Sequence, residues 1–331
     1  MTTPPNSFPI LQIKNLKTYF YTRQGIVKAV DDISFNVEKG KVLGLVGESG
    51  SGKSMTSLSV LRLVPPPGKI ISGEILFENQ SLLALSNEEM RKRRGKEISM
   101  IFQEPMTSLN PVFTVGEQVA EMVRLHLKMN RKEAKEKTIE LFKWVGISSE
   151  DKRYHEYPHQ LSGGMRQRVM IAMAISCNPK IIFADEPTTA LDVTIQAQIL
   201  NLLQHLKEKL NMSLVLISHD LGIIAETADE VAVMYAGKIV EYVKTQTLFA
   251  NPLHPYTQGL LESLPKFDQN GRGKTRLKAI SGVVPKLSEL PPGCAFEPRC
   301  PYAMEICKTD PPKLEEKEDG HWGSCWLEKK T

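Results

Sequence analysis

The segment GESGSGKS, from Gly47 to Ser54, has the residue types and spacing of a loop that wraps a chain of phosphates. Its glycines let backbone N–H groups turn towards phosphate oxygens, and a helix after the loop adds the positive end of its dipole. Lys53 can reach the outer phosphates, and the Ser54 hydroxyl can bind a magnesium ion. The residues expected to contact a bound nucleotide here are Gly47, Glu48, Ser49, Gly50, Ser51, Gly52, Lys53, Ser54 and Met55.

The flanking sequence supplies the elements that would hold this loop in position. The apolar run VLGLVG before it predicts a buried strand, and the periodic apolar stretch after it predicts a helix. Strand, loop and helix are the context that a phosphate-binding loop requires. The sequence therefore predicts an α/β nucleotide-binding core.

A second apolar run, IIFAD, ends in two adjacent carboxylates, Asp185 and Glu186. An acid at the end of a buried parallel strand can hold magnesium beside a phosphate loop, and we expect Asp185 in that role. We expect Glu186 to polarise the attacking water as the general base of NTP hydrolysis. A helix cap at the strand end would account for one carboxylate but not for two.

Between these motifs the segment LSGGM, from Leu161 to Met165, opens an apolar helix. Together with the phosphate loop it resembles the ABC-type ATPases, whose signature reads L-S-G-G-Q, and Met165 departs from that pattern. The resemblance implies that Ser162, Gly163 and Gly164 form a second anion clamp at a helix N-terminus. In the family this clamp closes on the γ-phosphate bound by the opposite subunit, so ATP and Mg²⁺ hold a dimer together.

Other residues match the family's remaining motifs in order. Gln103 matches the glutamine that touches magnesium and hinges the helical subdomain. Leu191 and Asp192 match the loop that contacts the partner subunit. His219 matches the histidine that reads the γ-phosphate, and the resemblance gives it, with Gln103 and Glu186, a catalytic role.

One aromatic residue near the start of the chain completes the predicted nucleotide site. Phe20, in NLKTYF, matches the side chain that stacks on adenine in the family. Tyr19 and Tyr21 are its neighbours and remain alternatives for this contact. All three could instead be packing residues.

Composition and the absence of certain segments narrow the class of ABC protein. A net charge of +4 is too weak to predict nucleic-acid binding, and the densest basic run, RKRRGK, is more typical of a solvated helix face. The N-terminus lacks the pattern of a secretory signal, and no window approaches the roughly 18 apolar residues of a membrane span. The chain has one phosphate loop, no fused spans and no long coiled coil. We expect a separate ATPase subunit of an importer, bound at the cytoplasmic face of the membrane.

The segment NPLHPYTQGLLESLP, from Asn251 to Pro265, resembles the His-Pro-Tyr element of the oligopeptide, dipeptide and nickel importers. The resemblance implies ATP-driven import of peptides. The implied partners are a second ATPase subunit, identical or paralogous, two transmembrane permease subunits and, indirectly, an extracytoplasmic peptide-binding protein. Nickel or another small solute, or a soluble ABC ATPase acting on ribosomes or DNA, are the alternatives.

Four cysteines cluster near the end of the chain, at Cys294, Cys300, Cys307 and Cys325. A cytosolic location disfavours disulfides, so a metal centre is the natural use of four thiolates. Zinc sites pair cysteines two to four residues apart, and no such pair occurs. ATPases of the peptide-importer subfamily end in a similar pattern, which favours a [4Fe–4S] cluster. A zinc ion and free or disulfide-paired thiols remain alternatives, and Cys177 is predicted to be a buried packing residue.

These interpretations combine into one predicted architecture of the α/β class. It is a P-loop ABC-ATPase fold with a RecA-like core, an antiparallel β portion up to about residue 85 and a helical subdomain over about 86–176. Parallel core strands are expected to end at Gly47, Asp185 and Ser218. The ATPase domain would span residues 1–250. Residues 251–331 would form a small metal-binding unit that we call the C-terminal extension.

Overall fold

The computed structural model of the chain describes residues 9–23, 25–189, 191–264 and 280–327. Pro265, which ends the predicted His-Pro-Tyr element, and the first residues of the N-terminus lie outside the described part of the chain. The chain divides into two compact units. Unit 1 contains Val37–Lys41 and Ser81–Ile217 with residues 9–10, and unit 2 contains Leu11–Asn36, Val42–Gln80 and the chain from Ser218 onwards.

The secondary structure alternates strands with helices along most of the chain. The strands are β1 (Leu11–Thr22), β2 (Gly25–Val37), β3 (Val42–Val46), β4 (Gly68–Phe77), β5 (Gln80–Ser81), β6 (Ile98–Ile101), β7 (Ile181–Asp185), β8 (Ser213–Ser218), β9 (Glu230–Tyr235), β10 (Lys238–Lys244), β11 (Glu315–Glu318) and β12 (His321–Gly323). The helices are α1 (Lys53–Val60), α2 (Asn87–Arg93), α3 (Pro105–Ser108), α4 (Val115–Leu127), α5 (Arg131–Trp144), α6 (Glu150–Tyr154), α7 (Gly163–Ile175), α8 (Val193–Leu210), α9 (Leu221–Thr227), α10 (Thr245–Ala250), α11 (Pro255–Glu262) and α12 (Glu305–Thr309). Among the helices of the described ranges, none has the length and hydrophobicity that a membrane crossing needs.

Unit 1 is built on three parallel strands. β6 pairs with β7, and β7 pairs with β8, with Ile181 opposite both Ile98 and Ser213. All five residues of β7 are buried, as expected for a strand covered on both faces. The helices α2 to α7 occupy the span predicted as a helical subdomain, but that span also contains β6. Its four residues, ISMI, are too short a run for the helix-periodic pattern to distinguish strand from helix.

Unit 2 contains the phosphate loop and the described part of the C-terminal extension. β3 pairs in parallel with β9, and β9 pairs with β10 in antiparallel fashion. The extension joins this sheet, because β12 pairs with β10 and also with β11. A second sheet has the strand order β2-β1-β4-β5, and its β1–β4 pairing is antiparallel, as predicted for the N-terminal β portion.

Candidate nucleotide-binding site and cysteine cavity

The predicted phosphate loop connects β3 to α1 in a conformation that two glycines make possible. Gly52 is the residue before the first turn of α1 and has a φ of 104°. A side chain at Gly52 would collide with the Ala29 carbonyl oxygen, and one at Gly47 would collide with the Met234 carbonyl oxygen. The loop therefore packs directly against neighbouring backbone, and it leads into the N-terminus of α1, where a phosphate group is favoured.

Lys53 is folded back over the loop that precedes it. Its Nζ atom donates to the carbonyl oxygens of Gly47 at 2.8 Å and Glu48 at 3.0 Å, and lies 3.5 Å from Ser51 Oγ. Only 4% of the residue is exposed. The ammonium group is thus held where the loop would enclose phosphate oxygens, which are its natural partners.

Two side chains of the C-terminal extension also contact the loop, and sequence reasoning did not anticipate either. Tyr256 Oη accepts a hydrogen bond of 2.9 Å from the backbone N–H of Glu48. Arg299 donates twice to the Glu48 carboxylate, at 2.7 and 3.1 Å. Tyr256 belongs to the His-Pro-Tyr element, and Arg299 directly precedes Cys300, but no local pattern links either residue to a loop more than two hundred residues earlier.

The three candidate adenine-stacking residues lie at the end of β1 in different environments. Tyr19 Oη donates to Asp31 Oδ1, and Tyr21 is 48% exposed. Phe20 lies on the same strand face as Thr18, whose Oγ1 is 2.8 Å from Ser59 Oγ of α1. Phe20 is therefore the aromatic residue on the face that meets the helix of the phosphate loop.

In unit 1 the two adjacent acids differ in environment. Asp185 ends β7 and is 4% exposed. Glu186 has a φ of 44°, in the left-handed region that residues with side chains rarely adopt. Its Oε2 atom accepts hydrogen bonds from Gln103 Nε2 at 3.1 Å and Thr189 Oγ1 at 2.9 Å. The structure thus brings two of the predicted catalytic residues, Gln103 and Glu186, into direct contact.

The predicted signature segment begins a helix, as its sequence indicates. Ser162 caps α7 by accepting a hydrogen bond from the Met165 amide. A side chain at Gly163 would lie 3.6 Å from Leu191 Cδ2, so the signature segment adjoins the loop predicted to contact a partner subunit. Asp192 caps α8 by accepting from the Ile195 amide at 2.9 Å. Ser162, Gly163 and Asp192 are all exposed, as residues facing a second subunit must be.

His219 follows β8 directly and is exposed. The next residue, Asp220, caps α9 by accepting from the amides of Gly222 and Ile223. The Asp220 amide also donates to Ser218 Oγ at 2.9 Å, so a hydrogen bond spans the turn that carries His219.

The four clustered cysteines line one small cavity in unit 2, together with His254, Phe296 and Trp326. All four are free thiols, and the Cys294 amide donates to the Cys307 carbonyl at 2.8 Å. Burial raises the pKa of Cys294 to about 11, and burial also raises the pKa of Cys300 and Cys325. Cys177, by contrast, is buried in unit 1 beside Met122, as its apolar surroundings predict.

The predicted metal-binding character of the extension stays a prediction. In the part of the chain that the structure describes, no three His, Cys, Asp or Glu side chains converge closely enough to hold a metal ion. The shared cavity is what the sequence could not establish, since spacing alone does not show that the four sulfur atoms face one space.

Comparison with known proteins gives the family. Residues 30–189 match the family model described as ABC transporter, and residues 240–307 match the one described as oligopeptide/dipeptide transporter, C-terminal region. The chain is 52% identical to the oligopeptide transport ATP-binding protein AppD of Bacillus subtilis, over 96% of each chain. The chain belongs to the ABC transporter family.

Other relatives of this ABC transporter subunit support the same assignment. It is 52% identical to the dipeptide transport ATP-binding protein DppD of Haemophilus influenzae, over 92% of each chain. The ATP-binding cassette MJ0796, solved as a dimer in a post-hydrolysis state with ADP and Pi, is 28% identical with a TM-score of 0.64, over 71% of this chain and 98% of that one. The predicted ABC ATPase fold and ATP hydrolysis coupled to transport are confirmed.

Proposed function

We propose that this chain is the ATP-hydrolysing subunit that powers import of peptides through a membrane ABC transporter. The observation that carries the proposal is the match of residues 240–307 to the C-terminal region of oligopeptide and dipeptide transporters, in addition to the ABC match. The relatives named for oligopeptide and dipeptide transport extend this likeness over almost the whole chain.

The proposed chemistry assigns each predicted residue one task. The amides of the phosphate loop and Lys53 hold the phosphates, while Ser54, Gln103 and Asp185 are the residues that would hold Mg²⁺, which offsets phosphate charge when bound. Glu186 accepts a proton from the attacking water. The left-handed backbone at Glu186 supports this role, because strained conformations persist where a side chain must be aimed.

The proposed cycle uses two ATPase subunits. Each ATP is held between one phosphate loop and the Ser162, Gly163 and Gly164 clamp of the other subunit, and Phe20 stacks on its adenine. His219 contacts the γ-phosphate, so loss of that group releases the closed dimer. The exposed helix N-terminus at Ser162 and the adjoining Leu191 support this arrangement, since both are available to a second subunit.

For the cysteine cavity we propose a [4Fe–4S] cluster bound by Cys294, Cys300, Cys307 and Cys325. One feature supports it: the four free thiols line one cavity. When bound, such a cluster would cross-link segments of the extension that have few strands or helices of their own. Its proposed task is structural.

The first test is co-purification of the tagged full-length chain from detergent-extracted membranes. We expect two integral membrane subunits and a second ABC ATPase, identical or paralogous, with the complex at the cytoplasmic face of the membrane. Recovery with ribosomes or DNA instead would contradict the proposal. Uptake assays on the reconstituted complex with its extracytoplasmic binding protein should show competition by di- and oligopeptides, and competition by nickel alone would change the proposed cargo.

A further inference from the structure

Glu48, the second residue of the phosphate loop, has all three of its hydrogen-bonding groups engaged. Its carbonyl oxygen accepts from Lys53 Nζ at 3.0 Å. Its amide donates to Tyr256 Oη at 2.9 Å, and its carboxylate binds Arg299 through two hydrogen bonds. One of these contacts comes from the loop itself and two come from the C-terminal extension. Glu48 therefore connects the extension to Lys53.

The Arg299 side chain is buried and held by several contacts. Its side chain is only 3% exposed, and its Nε atom donates to the Ser281 carbonyl at 3.1 Å. Its guanidinium group lies 5.8 Å from the ring centre of Tyr235 and 5.9 Å from that of Phe296. A buried, bidentate and aromatic-flanked arginine fixes the plane of its partner carboxylate, which a flexible surface ion pair does not do.

Tyr256 is equally fixed. It is fully buried, and its ring centre lies 4.7 Å from that of Tyr235 and 5.4 Å from that of Phe296. Its own amide donates to Nδ1 of His254, the residue that caps α11. The hydroxyl group that meets the Glu48 amide is thus held in place by a buried ring that packs against two other aromatic rings.

We infer that Arg299 and Tyr256 are positioning residues for the phosphate-binding loop, through which the C-terminal extension sets the affinity for ATP. The inference rests on the proposed role of this loop in binding ATP. The inference assigns the C-terminal extension an effect on ATP binding. This effect is separate from the structural role proposed for its cysteines.

The physical basis is preorganisation of the loop. Phosphate binding needs several amides aimed at one point, and a loop that is already ordered loses less conformational entropy when the ligand arrives. Without Arg299 and the Tyr256 hydroxyl, the Glu48 peptide keeps only contacts from within the loop, from the Ser51 amide and the Lys53 ammonium, among the described residues. The Lys53 ammonium must also serve the phosphates. ATP binding would then have to order the loop, and the entropy lost in doing so would weaken the affinity.

The experiment measures ATP dissociation constants by calorimetry on the purified full-length chain and its variants. Arg299→Ala is expected to weaken ATP binding about tenfold, which corresponds to about 1.4 kcal/mol. Tyr256→Phe removes only the hydroxyl group and is expected to weaken binding about threefold. Arg299→Lys keeps the charge but loses the two-point contact, so it should restore binding only in part. The hydrolysis rate at saturating ATP should change much less than the affinity.

A double-mutant cycle separates positioning from a general loss of stability. If Arg299 acts through Glu48, Arg299→Ala should have little further effect on ATP affinity in a Glu48→Ala background. Lys286→Ala is the matched control, because Lys286 forms an exposed ion pair with Glu289 in the same extension. Its ATP affinity should equal that of the wild type.

The outcomes are distinguishable. Wild-type ATP affinity in both Arg299→Ala and Tyr256→Phe, or strictly additive effects in the cycle, would overturn the inference while leaving the proposed function intact. A wild-type chain that binds no ATP would instead refute the proposed function. If Arg299→Ala does not fold, Tyr256→Phe decides the question, because it deletes a single oxygen atom.

Discussion

Glu186 combines a left-handed backbone with two hydrogen bonds to one of its carboxylate oxygens. We propose that this carboxylate accepts the proton of the attacking water. Glu186→Gln keeps the shape of the side chain but removes the proposed base, so ATP should still bind while hydrolysis falls at least about 100-fold. Single-turnover hydrolysis and gel filtration with ATP would check this, the latter for a stable dimer.

A matched control for this residue is Glu140→Gln, since the exposed Glu140 lies on α5 and forms an ion pair of 2.9 Å with Lys137. Its hydrolysis rate should equal that of the wild type. Rapid turnover by Glu186→Gln would show that another group activates the water.

Lys53 is the residue whose removal most directly tests the proposed ATP binding by the phosphate loop. Its ammonium group is held over the loop, where we propose that it binds phosphate. Lys53→Ala should then delete a charge-assisted contact worth about 1.5–3 kcal/mol. ATP affinity should fall by roughly one to two orders of magnitude, measured by equilibrium titration. Lys92→Ala, which breaks an exposed pair with Glu88, should leave affinity unchanged. Unchanged binding in Lys53→Ala would contradict the loop's assigned role.

At the scale of elements, Glu241 ties the extension to β10. This fully buried carboxylate accepts from the amides of Leu253 and His254, at 2.8 and 2.9 Å, and lies 2.8 Å from His321 Nε2 of β12. Glu241→Gln places an NH₂ group against donors and removes the charge. We expect the free energy of opening of β12 to fall by about 3 kcal/mol, measured by native-state hydrogen exchange.

The corresponding surface variant is Glu74→Gln, because Glu74 and Lys14 form an exposed pair between β4 and β1. Exposed pairs contribute about 0–1 kcal/mol, so exchange in β1 should hardly change. Equal effects of the two variants would mean that burial of Glu241 does not govern the attachment of β12.

Several elements of both units were predictable because each has a local cause. β3, β7 and β8 are apolar runs, of which the first is followed by a glycine and the other two end at Asp185 and Ser218. Ser162 caps a helix that its sequence indicates. The pairing of β12 with β10 was not predictable, because HWG is too short to show any period. The contacts of Glu48 with Tyr256 and Arg299 were not predictable for another reason. They join residues more than two hundred positions apart, and local sequence patterns carry no information about such pairs.

At the scale of the whole molecule, the cluster proposed for the cysteine cavity predicts the iron and sulfide content of the purified chain. Anaerobically purified chain should contain about four irons and four sulfides with broad visible absorption. Cys300→Ser removes one thiolate and should lower iron content sharply. Cys177→Ala, which alters the one cysteine of the chain outside the cavity, should retain it. If the purified chain instead contained one zinc ion and had no visible absorption, the cluster would be contradicted and the cavity would be a zinc site.

The contact between Arg299 and Glu48 spans 251 residues of sequence, and this separation has a consequence for synthesis. Chains emerge from the ribosome N-terminus first, at about 5–20 residues per second, so the phosphate loop precedes its arginine by roughly 10–50 s. During that interval a nascent chain carries every residue of the loop but lacks the groups that orient it. The nucleotide site is therefore among the last features of the subunit to mature, and a chain released early would compete poorly for ATP.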